Sequence, residues 1–251
     1  MLKADLHIHT FEDPCHRILY TAKAMIKYKA KLGFKVLAVT NHNSIYFNNE
    51  LDDYAKKLGV ILFPGMEALI GGKEVLIINA DQRKLKYWKS GPEFRRVYKS
   101  IYPSLGVLEN FRNEGMVIGA PHPYYPGSNC LGKDLIKNIQ NFDFVEHCHF
   151  YTAYFNKNKQ AAIIARKFNK TLIANTDAHN WFQLGLKNYS YINSNFNKED
   201  VLEAIRANKV HITTEPLNLR LFIYIAWLNV FDLFDKRLLS RMGVTSKYKN
   251  I

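Results

Sequence analysis

Short apolar runs that each end in a metal-ligand residue constrain this chain more than any other feature of it. Val36–Thr40 leads to His42, Met116–Ala120 leads to His122 in APHP, and Thr171–Asn175 leads to Asp177 and His179 in NTDAH. His7 and His9, in ADLHIHT, follow a briefer run from the N-terminus, and Glu67 in PGMEA falls between His42 and His122. Side chains so far apart in sequence meet when the strands that carry them lie parallel, so that their C-terminal ends share one rim of a barrel or sheet. Alternate residues of a strand share a face, which aims His7 and His9 at one place; Asp5 shares that face and reads as a supporting or capping carboxylate. Imidazoles mixed with carboxylates are the donor set of Zn, Mn or Fe, and a set of this size suits a polynuclear hydrolytic centre. The motifs therefore imply a metal-dependent hydrolase.

The rest of the chain alternates between strand and helix patterns. Strands are expected at 2–8, 36–39, 60–63, 75–78, 116–120, 144–146, 171–174 and 189–192. Helices are expected at Ile18–Leu32, stopped by Gly33, and at Glu50–Leu58, stopped by Gly59. Further helices are expected at 105–113, 131–141, 158–168 and 198–207, the last with Asp200 in its first turn. Repeated strand–helix units predict an α/β fold with a mostly parallel sheet or a closed barrel. A chain of 251 residues is long enough for one such domain with an ample core. Two stretches break the rhythm. Asp81–Tyr102 is strongly basic and reads as a solvated connection, or alternatively as a lid or phosphate contact through Arg95, Arg96 and Lys99. Leu219–Leu239 is an apolar helix, but its uncharged core Leu221–Phe231 falls short of the about 20 residues that span a bilayer. Packing against the barrel or a second subunit, as in a homo-oligomer, is the expectation for it. A membrane-surface helix with Lys236, Arg237 and Arg241 is the alternative.

Composition excludes other classes. A hydrophobic share of 47% with 23% charge excludes a disordered chain. Cys15, Cys130 and Cys148 are odd in number and spread out, so no disulfide framework is implied, and Cys15 and Cys148 read as small buried side chains, with zinc ligation as the alternative. With no signal-peptide architecture at the N-terminus, a reducing cytoplasm is expected. Neither a G-x-S-x-G elbow nor a Walker loop occurs, which argues against a serine nucleophile or a P-loop. The net charge of +13 suits an anionic substrate, yet Lys-, Asn-, Ile- and Tyr-rich composition is also what an AT-rich coding sequence gives.

The order H-x-H, strand-end T-[DN]-H, P-G-x-E, P-H-P and D-x-H, with Leu184-Gly185 soon after, resembles the PHP (polymerase and histidinol phosphatase) domain superfamily over residues 1–215. The resemblance implies a distorted seven-stranded (β/α) barrel of TIM-like kind; 216–251 has no counterpart in it and is expected, from the apolar Leu219–Leu239 stretch, to be a helical tail. It implies two or three divalent metal ions (Zn, Mn or Fe) at the strand ends and hydrolysis of phosphate esters. A small phosphorylated metabolite or nucleotide is the expected substrate. A short single-stranded nucleic acid trimmed by an exonuclease is the alternative, and a metal-binding module without activity is a third reading. Carried onto this chain, His7, His9, Glu67 and Asp177 would hold one ion, and Glu67 would bridge to a second bound by His122. His42 and His179 would hold a further ion with a loop ligand, either Asp13 or His16. His122 and Asp177 are the residues assigned to catalysis, His122 assisting the leaving group. Two positions depart from the family pattern: Asn41 stands where many members have Asp, and Glu74 stands where members often have His, with Glu74 retained as a metal ligand. At the sixth strand end, Glu146 either faces the site or turns away, while His147 and His149 read as hydrogen-bonded core histidines. His211 reads as structural.

Overall fold

A computed structural model of the protein describes residues 1–81, 103–127 and 129–228. Arg95, Arg96 and Lys99, and the distal part of Leu219–Leu239, lie outside these residues. In chain order the elements are β1 (Leu2–Asp5), α1 (Ala22–Lys31), β2 (Val36–Val39), α2 (Asn49–Lys57), β3 (Ile61–Ile70), β4 (Lys73–Ile78), α3 (Val107–Asn113) and β5 (Val117–Ala120). There follow α4 (Lys133–Lys137), β6 (Phe144–His147), α5 (Asn158–Lys167), β7 (Thr171–Ala174), β8 (Asn188–Ile192), α6 (Lys198–Arg206) and β9 (Val210–Thr214).

The strands form one sheet in the order β7-β6-β5-β4-β3-β2-β1-β8-β9. Pairs β1/β2, β2/β3, β5/β6 and β6/β7 are parallel. Pairs β3/β4, β4/β5, β1/β8 and β8/β9 are antiparallel. Because β7 also packs against β8 and β9, the sheet curls into a nearly closed, distorted TIM-like barrel. The described residues hold nine strands where the resemblance implies seven. The β3–β4 hairpin turns on Gly71 and Gly72, whose φ of +57° and +74° and two-residue loop are those of the primed turn that follows strand twist. The first helix begins at Ala22, later than Ile18, because Thr21 caps it by accepting a hydrogen bond from the Ala24 N–H.

Strand alternation sorts the core into layers. Ala4, Val36, Ala38, Ile61, Phe63, Leu76, Ile78, Val117, Phe144, Ile173 and Ile192 fill one face of the strands, closed by Val201, Leu202 and Ile205 of α6. The opposite parity packs outward: Leu37, Val39 and Leu62 against α1 and α2, and Met66, Ile77, Ile118 and Val145 against α3, α4 and α5. Gly119 is needed on the first of these faces, the one that carries Val117 and Phe144, since a Cβ at that position would sit 2.0 Å from the Phe144 ring.

All of these elements belong to one compact unit, Met1–His149 with Asn156–Glu215. A second unit joins Phe150–Phe155 to the described residues 216–228. Within it the Leu217 N–H donates to the Tyr151 carbonyl (2.8 Å), Phe150 and Phe222 stack at 4.2 Å, and 219–228 are helical. No described helix is long and apolar enough to cross a membrane.

Candidate metal centre

The parallel strands β1, β2, β5 and β7 end at the same rim, and each is followed within five residues by one of the sequence motifs. Bridges between Ile8 and Ala178 and between His42 and Glu67 continue the parallel pairing beyond the strand ends, which sets the motif residues side by side. Glu67 lies inside β3 rather than after it, opposite Leu76. Since β4 runs antiparallel, its first residues lie at the rim that β3 reaches last, and Glu74 arrives there opposite Leu69. His122 and Asp177 occupy left-handed backbone, φ +26° and +45°, which costs on the order of 1–3 kcal/mol and persists where surroundings over-determine it. The surroundings are visible. The His122 N–H donates to Glu146 Oε2 (2.8 Å), and Thr176 donates its N–H and hydroxyl to Asp5 (3.1 and 2.6 Å). Asp5 in turn is held by the fully buried Lys29 ammonium at 2.6 Å.

Four donor atoms converge at the bottom of the rim. His7 Nε2 and His9 Nε2 are 3.1 Å apart, and Asp177 Oδ1 lies 3.3 Å from each. Glu67 Oε2 lies 3.5 Å from His7 Nε2, 3.4 Å from His9 Nε2 and 3.0 Å from His42 Nε2. The other ring nitrogens are already committed: His7 Nδ1 faces Glu146 Oε1 and His9 Nδ1 faces Asp13 Oδ2, each at 2.9 Å. A proton on each Nδ1 can therefore go to a carboxylate, which leaves the two Nε2 atoms facing each other, an arrangement a cation between them would relieve. Asp177 Oδ1 is buried without a hydrogen-bond partner in the same place. The donors thus fit a divalent ion in number, type and orientation.

Around this core the remaining expected residues fall into two sets. Asp13 Oδ2 accepts from the His42 ring and the His42 N–H, both at 2.9 Å, as well as from His9, while Oδ1 accepts the N–H groups of Cys15 and His16. The geometry puts Asp13 behind two rings. The His16 ring stacks on His42 (4.5 Å) and meets His179 edge-on (4.7 Å), and donor nitrogens of His9, His42 and His179 form a second convergent group. On the other side, His122 Nε2 lies 3.1 Å from Glu67 Oε1 and 3.9 Å from Glu74 Oε2. Glu146 faces the centre as the brace of His7, and Asn175 Nδ2 donates to it. Asn41 sits away from the donors, bonded to the Thr10 N–H (2.9 Å) and hydroxyl (3.1 Å). The His149 ring accepts from Gln183 Nε2 (3.3 Å), and Gln183 Oε1 accepts the His179 N–H (3.0 Å). His211 is exposed on β9. Cys130, which nothing in the sequence pattern singles out, has its Sγ 3.5 Å from His122 Nδ1.

Electrostatics follow from this crowding. Burial would raise the carboxylates, but His42 and His9 hold Asp13 well below the usual range, His7 and His42 do the same for Glu67, and His7 and His9 for Asp177. Burial would likewise depress His7, yet Asp177, Glu146 and Glu67 push it well above its ordinary value. His122 is raised by Cys130 and Glu67 against the same burial. His179 is pushed well down by burial, with His9 and His16 adding to it. Glu74 is raised by burial and by Glu67.

A PHP-associated family model (PHP_C) matches residues 155–210, a span that includes Asp177 and His179. The chain is 28% identical over 145 residues to the uncharacterized protein MJ1587 of Methanocaldococcus jannaschii, covering 52% of this chain and 73% of that one. Among solved structures, one similar chain is a two-domain protein from Bacteroides vulgatus containing a predicted PHP-like metal-dependent phosphoesterase. It superposes with a TM-score of 0.62 at 16% identity, over 85% of this chain and only 65% of that one. PsfC from Pseudomonas syringae gives 0.58 at 16% identity, over 92% and 98% of the two chains.

Proposed function

We propose that this chain, a PHP-domain protein, is a metal-dependent hydrolase of phosphate esters acting on a small phosphorylated metabolite or nucleotide. The observation that carries the reading is the convergence of His7 Nε2, His9 Nε2, Glu67 Oε2 and Asp177 Oδ1, with separations of 3.1–3.5 Å and with both rings braced from behind by carboxylates. These four residues would hold one ion. Glu67 would share its second oxygen with a position lined by His122 and Glu74, and His42, His179 and His16 would hold a third, oriented by Asp13. Divalent ions in such positions supply charge to phosphoryl oxygens and acidify a water at neutral pH.

The chain's own groups do the positioning. Glu146 and Asp13 fix the rings of His7, His9 and His42 by their Nδ1 atoms, so that each presents Nε2 to the centre. The accessible side is framed by His122, Asp177 and His179, whose side chains are 14%, 16% and 23% exposed, while His7 and His9 are sealed at 0%. A substrate phosphate would therefore meet His122 and Asp177 first, and His122 would assist the departing oxygen. Arg95, Arg96 and Lys99 remain proposed phosphate contacts outside the described residues.

A second reading, a single-strand-directed exonuclease, is favoured by the exposed aromatics Phe11, Trp181 and Phe182 on the loops that carry His9 and His179. Exposed rings beside a cationic surface stack unpaired bases. One assay separates the readings. Chelated protein is reloaded with Mn²⁺ or Zn²⁺ and given p-nitrophenyl phosphate and bis-p-nitrophenyl phosphate, beside a His7→Ala/His9→Ala double variant. The proposed function expects metal-restored monoester turnover that the double variant lacks; diester preference favours the exonuclease, and failure to bind metal at all refutes both.

A further inference from the structure

The helix at 219–228 is apolar on two sides. One side packs within its own unit: Phe222 stacks on Phe150 at 4.2 Å and lies 5.7 Å from Phe155, and Ile225 is buried. The other side is turned to solvent. Leu219, Ile223 and Trp227, spaced four apart and so aligned along the helix, are 66%, 58% and 55% exposed. Tyr224 is exposed beside them, its ring stacked on that of Trp227 at 6.4 Å. A surface helix ordinarily carries polar residues on its outward side. Here Arg220 is the one charged residue among 219–228, and it is exposed too. A contiguous outward stripe of large apolar side chains marks a surface that meets another apolar body.

We propose that this stripe is a docking surface for an anionic phospholipid bilayer, with the helix lying on the membrane surface. Charge argues for that occupant. Beyond the helix, outside the described residues, the sequence holds Lys236, Arg237, Arg241, Lys247 and Lys249 against Asp232 and Asp235. A basic segment next to an apolar stripe is drawn to an anionic leaflet while the stripe enters the acyl boundary. A second copy of this chain would instead set one net charge of +13 against another. The residue types agree, since Trp and Tyr have an apolar ring and a polar tip suited to the headgroup level. No described helix is long and apolar enough to cross a membrane, so the contact is interfacial. The inference stands apart from the hydrolytic reading, since none of its residues belongs to the metal centre.

Co-sedimentation of the full-length protein with vesicles tests it. Vesicles of phosphatidylcholine mixed with phosphatidylglycerol should carry the protein down, and vesicles of phosphatidylcholine alone should bind it at least about tenfold more weakly. Ile223→Asp, at an exposed position away from the Phe150 contact, should keep the circular dichroism spectrum and weaken binding to the mixed vesicles at least about tenfold. The wild-type protein gives a readout free of any folding defect. Its tryptophan emission should shift to the blue on the mixed vesicles, and Trp227→Phe, which keeps Trp88 and Trp181, should lose that shift while still sedimenting. Absence of binding to the mixed vesicles, equal binding to both kinds, or binding that Ile223→Asp leaves unchanged would each overturn the proposal. A dimer in light scattering that Ile223→Asp dissociates would give the stripe to a second copy and overturn it as well.

Discussion

Asp13 carries more of the centre than any residue that points into it. One oxygen, Oδ2, accepts from the His9 ring, the His42 ring and the His42 N–H, all at 2.9 Å. An amide in its place brings a donor among donors and removes the charge that favours both tautomers. Asp13→Asn is therefore expected to keep the fold and to weaken metal binding about 10- to 100-fold, measured by chelator competition. A variant that bound metal as tightly as wild type would show that these rings need no brace. At this scale most of the centre can be read from sequence, because His7, His9, His42, His122, Asp177 and His179 each sit beside an apolar run that marks a strand end. Glu146 and Asp13 are harder, since a carboxylate that orients a ring has the same sequence signature as one that binds an ion. Cys130 is illegible: its loop has no periodicity, and only the bonds from Lys73 and Asn129 bring it to His122.

Elements deliver these side chains, and β3 shows where pattern reading runs out. Pro64-Gly65 looks like punctuation, so a strand is expected to end at Phe63. The strand instead continues to Ile70 and carries Glu67 in its middle. Pro64 has no N–H to give the ladder, and its carbonyl accepts the Ala80 N–H (3.0 Å). The Gly71-Gly72 pair, between two apolar runs, is the signal for the hairpin that turns β4 back and brings Glu74 to the rim. No strand is expected at β9, since VHITT has neither a buried face nor a strong apolar alternation; hydrogen bonding to β8 defines it. Parity matters most at β5. Gly119 faces the Phe144 ring with no room for a methyl group, so Gly119→Ala should cost about 1–3 kcal/mol in urea denaturation. A second change, Phe144→Leu, should recover part of that loss, and failure to recover any would place the strain elsewhere.

For the barrel as a whole, the titratable groups give the metal-free protein a narrow optimum. His7 and His122 have folded pKa values raised well above the unfolded one, so their contribution is complete below about pH 6.5 and is lost as pH rises toward the folded values. His147, His149 and His179 are lowered, chiefly by burial, so the unfolded chain takes up protons they refuse and stability falls as pH drops below about 6.5. Lowered carboxylates such as Asp13 add stability that is lost only in stronger acid. Melting of chelated protein from about pH 5 to about pH 9 should therefore peak near 6.5, whereas loaded protein should not lose stability on the alkaline side, because bound ions replace the protons on His7 and His122. A chelated protein that gained stability steadily up to pH 9 would contradict this. One further consequence concerns the protein's birth. The bridge between Ile8 and Ala178 joins the two ends of the parallel part of the barrel, and Asp177 and His179 flank it. A chain still emerging from the ribosome thus carries His7 and His9 long before their partners exist, so the complete centre is necessarily a late event of biosynthesis, formed only after Ala178 has been made and has come back to Ile8.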